Sequence, residues 1–110
     1  MSIIEIKEYD TLRIACQYQD PSGNPLSLSD VDIESDMTTI NGMDRTDLTV
    51  EIVSENEGSF VLTSNQDRLI PRDYNIDIIF IDKMARTRVT SETMTVRVLR
   101  SVTKPSEVVE

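Results

Sequence analysis

Arg72-Asp73-Tyr74-Asn75-Ile76-Asp77-Ile78-Ile79-Phe80-Ile81-Asp82 sets Tyr74, Ile76, Ile78 and Phe80 at alternate positions, with polar side chains between them over its first half. Successive side chains of a strand point to opposite faces, so a period of two buries one row and turns the other outward. Ile79 and Ile81 interrupt the polar row, which predicts a strand that is central or covered on both faces near its end. The same alternation runs upstream through Leu12, Ile14, Cys16 and Tyr18, then Val31, Ile33, Ser35 and Met37 against Asp32, Glu34 and Asp36, then Leu48, Val50 and Ile52, then Phe60 and Leu62. Downstream it continues through a short Arg86–Thr90 stretch into Met94, Val96 and Val98. Between these runs lie Asp20-Pro21-Ser22-Gly23-Asn24-Pro25, Asn41-Gly42, Glu55-Asn56-Glu57-Gly58 and Lys83-Met84-Ala85. Proline fixes φ there, and glycine or asparagine accepts the left-handed region, so each segment turns the chain.

No amphipathic helix is visible, and Ser64 to Ile70 holds one helical turn at most. Strands at spacings of roughly ten residues predict two sheets packed face to face. The expected fold is therefore all-β, a single immunoglobulin-like antiparallel β-sandwich of about seven strands over residues 1–103. Residues 1–9 form an N-terminal extended segment and residues 104–110 a flexible C-terminal tail. The expected core is Leu12, Ile14, Val31, Ile33, Leu48, Val50, Ile52, Phe60, Leu62, Tyr74, Ile76, Ile78, Phe80, Met94, Val96 and Val98.

The 110 residues carry 20 acidic and 11 basic side chains, a formal charge of −9, and no histidine. That lack removes the commonest metal ligand and the side chain that titrates near neutrality, which disfavours enzymes and imidazole-based metal sites. Cys16 is the single cysteine. It has no partner for an intrachain disulfide and no histidine to activate it, and its place in an apolar row predicts a small buried hydrophobe. Asp30, Asp32, Glu34 and Asp36 lack the glycine and flanking helices of a calcium loop and read as a solvated acidic strand face. No cofactor, metal or catalytic residue is expected. An acidic chain repels phosphate backbones, so nucleic acid is not an expected partner. No run reaches the roughly 20 apolar residues of a membrane helix and the N-terminus does not resemble a signal peptide, so no membrane partner is expected and synthesis is expected in the cytoplasm.

Charge is uneven. Lys83, Arg86, Arg88, Arg97, Arg100 and Lys104 face only Glu92 within residues 83 to 104, a net +5 that leaves −14 on the other 88 residues. Such a basic segment either neutralises its own neighbours across the sheet or docks on an acidic partner, another copy of the chain included. Ile3, Ile4 and Ile6 are too apolar for a solvated end and need a covering sheet edge, in the same subunit or a neighbouring one. Ile3, Ile4, Ile6, Arg86, Arg88, Arg97 and Arg100 are the candidate assembly surface.

Asp10-Thr11-Leu12, the Asp20–Leu28 turn, Val31–Met37, Gly58–Thr63, Leu69–Asp77 and Glu92–Val98 together resemble a family of small β-sandwich structural domains from tailed bacteriophages, typified by the N-terminal domain of phage baseplate upper proteins. The likeness spans about residues 10 to 103. Arg72 stands where that pattern has glycine, and Lys83-Met84-Ala85-Arg86 lacks the glycine of the following hairpin. The resemblance implies a noncatalytic virion structural protein of a tailed phage or prophage, made in the bacterial host cytoplasm and assembled into the tail or baseplate. Its partners would be other virion proteins and further copies of itself as a homo-oligomer. A capsid decoration or head-fibre protein, and a carbohydrate- or receptor-binding module, are the alternatives.

Overall fold

In the computed structural model, which describes residues 3–105, eight strands account for the regular structure: β1 (Ile3–Lys7), β2 (Arg13–Gln17), β3 (Val31–Thr39), β4 (Arg45–Ser54), β5 (Ser59–Ser64), β6 (Asp73–Asp82), β7 (Thr87–Thr90) and β8 (Met94–Leu99). Among the described residues there is no helix. The last five residues of the expected tail lie outside the described residues.

The hydrogen-bonded order is β1-β8-β6-β3-β4-β5-β2, with β7 also on β6. β4 belongs to both layers. Its Arg45, Thr46 and Asp47 pair with Thr38, Met37 and Asp36 of β3, and from Leu48 onward it pairs with β5 instead. The chain thus folds into a first layer of β1, β8, β7, β6, β3 and the start of β4, and a second of β5, β2 and the rest of β4. Tyr74, Ile76, Ile78 and Phe80 are buried, and β6 is central: β3 lies along one side, β8 and β7 along the other. Ile79 and Ile81 are not covered. They lie half-exposed on the outer face, so the interrupted polar row marks a central strand and not a second core.

The strand count is eight because Ile3–Lys7 forms one more than expected, and the sandwich is not wholly antiparallel, because β1 runs parallel to β8. Ile4 lies beside Val96 and Ile6 beside Val98, which packs both isoleucines against the core while Ile3 stays 51% exposed. The apolar N-terminal segment finds its covering edge within its own subunit.

Phe60, Leu12, Met37, Leu62, Ile76 and Val96 are the largest fully buried side chains. Ile52 departs from the expected core, at 48% exposure. It sits where the β4–β5 register shifts, on a stretch of β4 that has no strand on its other side among the described residues, so alternation continues beyond the cover of the opposing layer. Leu28, Met37 and Leu69 join the core without having been expected there. Leu28 and Leu69 stand in connections, where no strand period points at them. Tyr74 ties the chain as it enters β6: its hydroxyl donates to the Ile70 carbonyl at 2.7 Å, the corner seen at this point in immunoglobulin-like sandwiches.

Candidate functional site

Two facing strand edges leave the sandwich open on one side. Among the described residues, β2 pairs only with β5, and β7 only with β6. Between them runs a groove of about 950 Å³, with walls richer in apolar than polar surface. Ile78 and Phe80 form its floor, Cys16, Tyr18 and Leu26 one wall, and Val89, Ser91 and Met94 the other.

Local sequence builds each part. Tyr18 continues the β2 alternation beyond the last paired residue, and its ring stacks on Phe80 with centroids 4.3 Å apart and planes 18° from parallel. Phe60 meets the same Phe80 ring edge-on at 5.8 Å, so the groove floor is braced from inside the core. Gly58 holds the Tyr18 wall in place. It adopts φ +70, its carbonyl accepts the Tyr18 N–H at 2.9 Å, and a Cβ there would run into the Leu26 carbonyl oxygen. Opposite, Ser91 takes over as β7 leaves β6: its hydroxyl accepts the Ile78 N–H at 2.9 Å and its own N–H donates to the Ile78 carbonyl at 2.8 Å. β8 then starts at Met94, one residue before β1 joins it. Among the described residues, the edge facing β2 therefore has no neighbouring strand from Thr87 to Met94.

Cys16 lines this groove half-buried, with less cover than its apolar row predicts. Burial pushes its thiol above the ordinary value, which keeps it protonated and a weak nucleophile at neutral pH. Gln17, Gln19, Asp20 and Glu92 edge the groove with polar groups. Asp20 is committed to its turn, accepting the Ser22 and Asn24 N–H groups at 2.9 Å each, and these contacts hold its carboxyl below the usual value.

The basic residues of the expected assembly surface are split between the two ends. Arg97 lies opposite Asp73 and pairs with it at 3.1 Å, while Arg88 lies opposite Ile81. Eight residues of β6 separate those levels, about 26 Å at the rise of a strand. Arg86 occupies the β6–β7 turn with φ +56. Arg100 follows β8 and its charge helps hold the Glu8 carboxyl down. Arg97 and Lys83 neutralise neighbours on the sheet, whereas Arg86 and Arg88 form no ion pair among the described residues. The pairing of Tyr18 with Phe80 was not anticipated; the signal for it was an aromatic continuing the β2 parity past the strand's end.

No protein-family model matches the chain, and no curated protein sequence matches it. Among solved structures, the chain is similar to PcoC, a methionine-rich copper resistance protein from Escherichia coli, with a TM-score of 0.50 and 17% identity over 87% of each chain. The selenomethionine form of that protein gives 0.49 and 15% identity over 87% of this chain and 90% of the other. The likeness shows the fold, a β-sandwich. The expectation of a tailed-phage virion protein of the tail, baseplate or capsid is corrected here: the solved structure that the chain resembles over 87% of its length is a copper resistance protein and not a phage component. The segments that carried the phage resemblance are alternating strands and turns, which a sandwich of this kind needs whatever it does. Among the described residues, no group of three or more histidine, cysteine, aspartate or glutamate side chains is placed to hold a metal ion.

Proposed function

We propose that this domain is a noncatalytic binding module that takes an extended polypeptide segment into the groove between β2 and β7–β8. The observation that carries the reading is the coincidence of two features in one place. An apolar trough of about 950 Å³ lies there, and the strands on both its walls have unpaired backbone edges. An added strand would gain main-chain hydrogen bonds from an edge and bury alternate side chains against Tyr18, Phe80 and Met94, which is how strand addition combines affinity with selectivity. The polar rim accommodates the residues that point out of the trough.

A fluorescent heptapeptide, Lys-Val-Thr-Val-Thr-Val-Lys, is a suitable probe for anisotropy titration. Saturable binding that weakens at least tenfold in Val89→Lys supports the reading; Val89 is already 55% exposed, so lysine is tolerated there. No saturation up to millimolar peptide, or equal binding by the variant, rejects it.

A second reading has its own observation: Cys16 and Met94, a thiol and a thioether, line the same groove. Soft sulfur ligands select Cu(I), and copper is the metal named for the structural neighbour. Anaerobic competition of the protein against a chromogenic Cu(I) chelator reads it directly. One equivalent withheld by the native chain, and none by Cys16→Ser or Met94→Leu, supports this reading; no equivalent withheld by the native chain rejects it.

A further inference from the structure

The outer face of the first layer is uncovered among the described residues and carries a charge pattern that complements itself. Cross-strand register lays it out as rows. Asp47, Asp36 and Asp77 stand side by side across β4, β3 and β6; the next row along β6 is Glu34, Ile79 and Thr90; the next is Asp32, Ile81 and Arg88. A hollow of about 310 Å³ opens in this face, lined by Glu34, Asp36, Asp77 and Ile79. The acids there outnumber their cations. Arg45 reaches Asp36 at 3.1 Å, while Glu34 and Asp77 have no ion-pair partner among the described residues. Carboxylates placed directly opposite each other destabilise a sheet, and Asp47 shows the strain: its hydrogen bond with Asp36 and the charge of Asp36 raise its carboxyl above the ordinary value.

Arg88, which forms no ion pair among the described residues, lies opposite Ile81 and so projects on the same face. It stands four residues further along β6 and two strands across from Asp36, a separation of about 16 Å at ordinary strand rise and spacing. The midpoint of that separation is Ile79, which is half-exposed. A two-fold axis lying in the face, passing over Ile79 and perpendicular to the line from Asp36 to Arg88, therefore superposes each arginine on the other copy's acids and each Ile79 on its counterpart. Isologous contacts require this kind of self-complementarity.

We propose that the outer face of the first layer is a docking surface for a second copy of the chain, with Arg88 of each copy seated against Glu34, Asp36 and Asp77 of the other around a central Ile79 contact. The formal charge of −9 makes two copies repel at long range, so the attraction is local and the repulsion is weakened at physiological salt, where screening acts beyond about 8 Å. This surface is separate from the groove, and either proposal stands without the other.

Sedimentation equilibrium of the full chain in about 0.15 M salt tests it, that ionic strength being one at which buried contacts persist and distant charges are screened. The expected result is a reversible dimer for the native chain, and monomers for Arg88→Glu and for Glu34→Arg/Asp77→Arg taken separately. An equimolar mixture of the two variants should restore the dimer, since each then meets opposite charge at both contacts. Because restoration requires folded partners, it also answers the concern that a substitution merely unfolds the chain, and Glu34→Arg alone, at an exposed position, provides the milder second variant. A native chain that stays monomeric, a native dimer that survives both substitutions, or a mixture of folded variants that stays monomeric would overturn the proposal.

Discussion

Glu8 shows how one side chain can hold three segments together. It is 6% exposed, yet both carboxylate oxygens are satisfied: Arg68 Nε donates to one at 2.8 Å and the Ser101 N–H to the other at 2.9 Å. Its backbone donates to Leu99 and accepts from Leu69, so β1, the approach to β6 and the exit from β8 meet at this residue. The Arg68 hydrogen bond, then the Ser101 N–H, hold the carboxyl below its ordinary value. A carboxyl lowered on folding contributes stability that is complete above its unfolded value and disappears as pH falls through its folded value. Denaturation midpoints of the native chain should therefore fall between about pH 5 and 3, the range in which an unperturbed glutamate titrates, whereas Glu8→Gln should start lower at pH 7 and lose less across that window. Parallel curves for the two proteins would contradict this role. Tyr74→Phe should cost about 1 kcal/mol, the usual worth of one hydrogen bond, measured by chemical denaturation. Phe60→Ala should cost about 3–5 kcal/mol, since that ring is 1% exposed and braces Phe80. An unchanged midpoint would place either ring outside its assigned role. At this scale the sequence was legible where parity and burial coincide, as at Phe60 and Ile76. It was not legible at Ile52 and Cys16, where parity is kept but the opposing layer thins out, because alternation reports which face a side chain joins and not how far the covering sheet extends.

Elements were easier to read than their neighbours. Strand positions follow from local alternation, and the turns at Asn41-Gly42 and Glu55–Gly58 follow from residues that accept positive φ, as Gly42 and Gly58 do at +73 and +70. Pairing is a long-range property. Nothing local distinguishes a first strand that adds in parallel to β8 from one that reaches another subunit, and nothing local shows β4 leaving one layer for the other. β1 and the Gly58 turn accordingly give the sharpest tests of the elements. A chain beginning at Tyr9 loses the Ile4–Val96 and Ile6–Val98 neighbours together with Glu8, so it should unfold at a clearly lower denaturant concentration and show an exposed β8 edge by faster amide exchange at Arg97 and Leu99, the residues of β8 whose backbone faces β1, while the Val98 N–H stays bonded to the Arg72 carbonyl. Unchanged protection there would mean that β1 adds nothing. Gly58→Ala should cost roughly 1–2 kcal/mol or more, because a side chain at φ +70 is strained even before it meets the Leu26 and Tyr18 carbonyls. Its circular dichroism in the aromatic region should change as well, since Tyr18 is held against Phe80 from this turn.

At the scale of the molecule, the described residues leave two surfaces uncovered: a trough where the two layers fail to close, and an outer face with acids at one end and an arginine at the other. Length, charge and the lack of histidine in the sequence limited the classes of chemistry, but the trough was beyond its reach. It arises from what β2, β7 and β8 do not pair with, and an unpaired edge leaves no signature in a strand's own residues. Entry of an extended segment into that trough is the central functional proposal. Amide chemical-shift mapping of the ¹⁵N-labelled chain with the valine-threonine heptapeptide tests this most directly. The largest changes are expected along Cys16–Gln19 and Val89–Met94, with the amides of β3 unmoved. Changes centred on the outer face around Glu34 and Asp77, or none at saturating peptide, would contradict it.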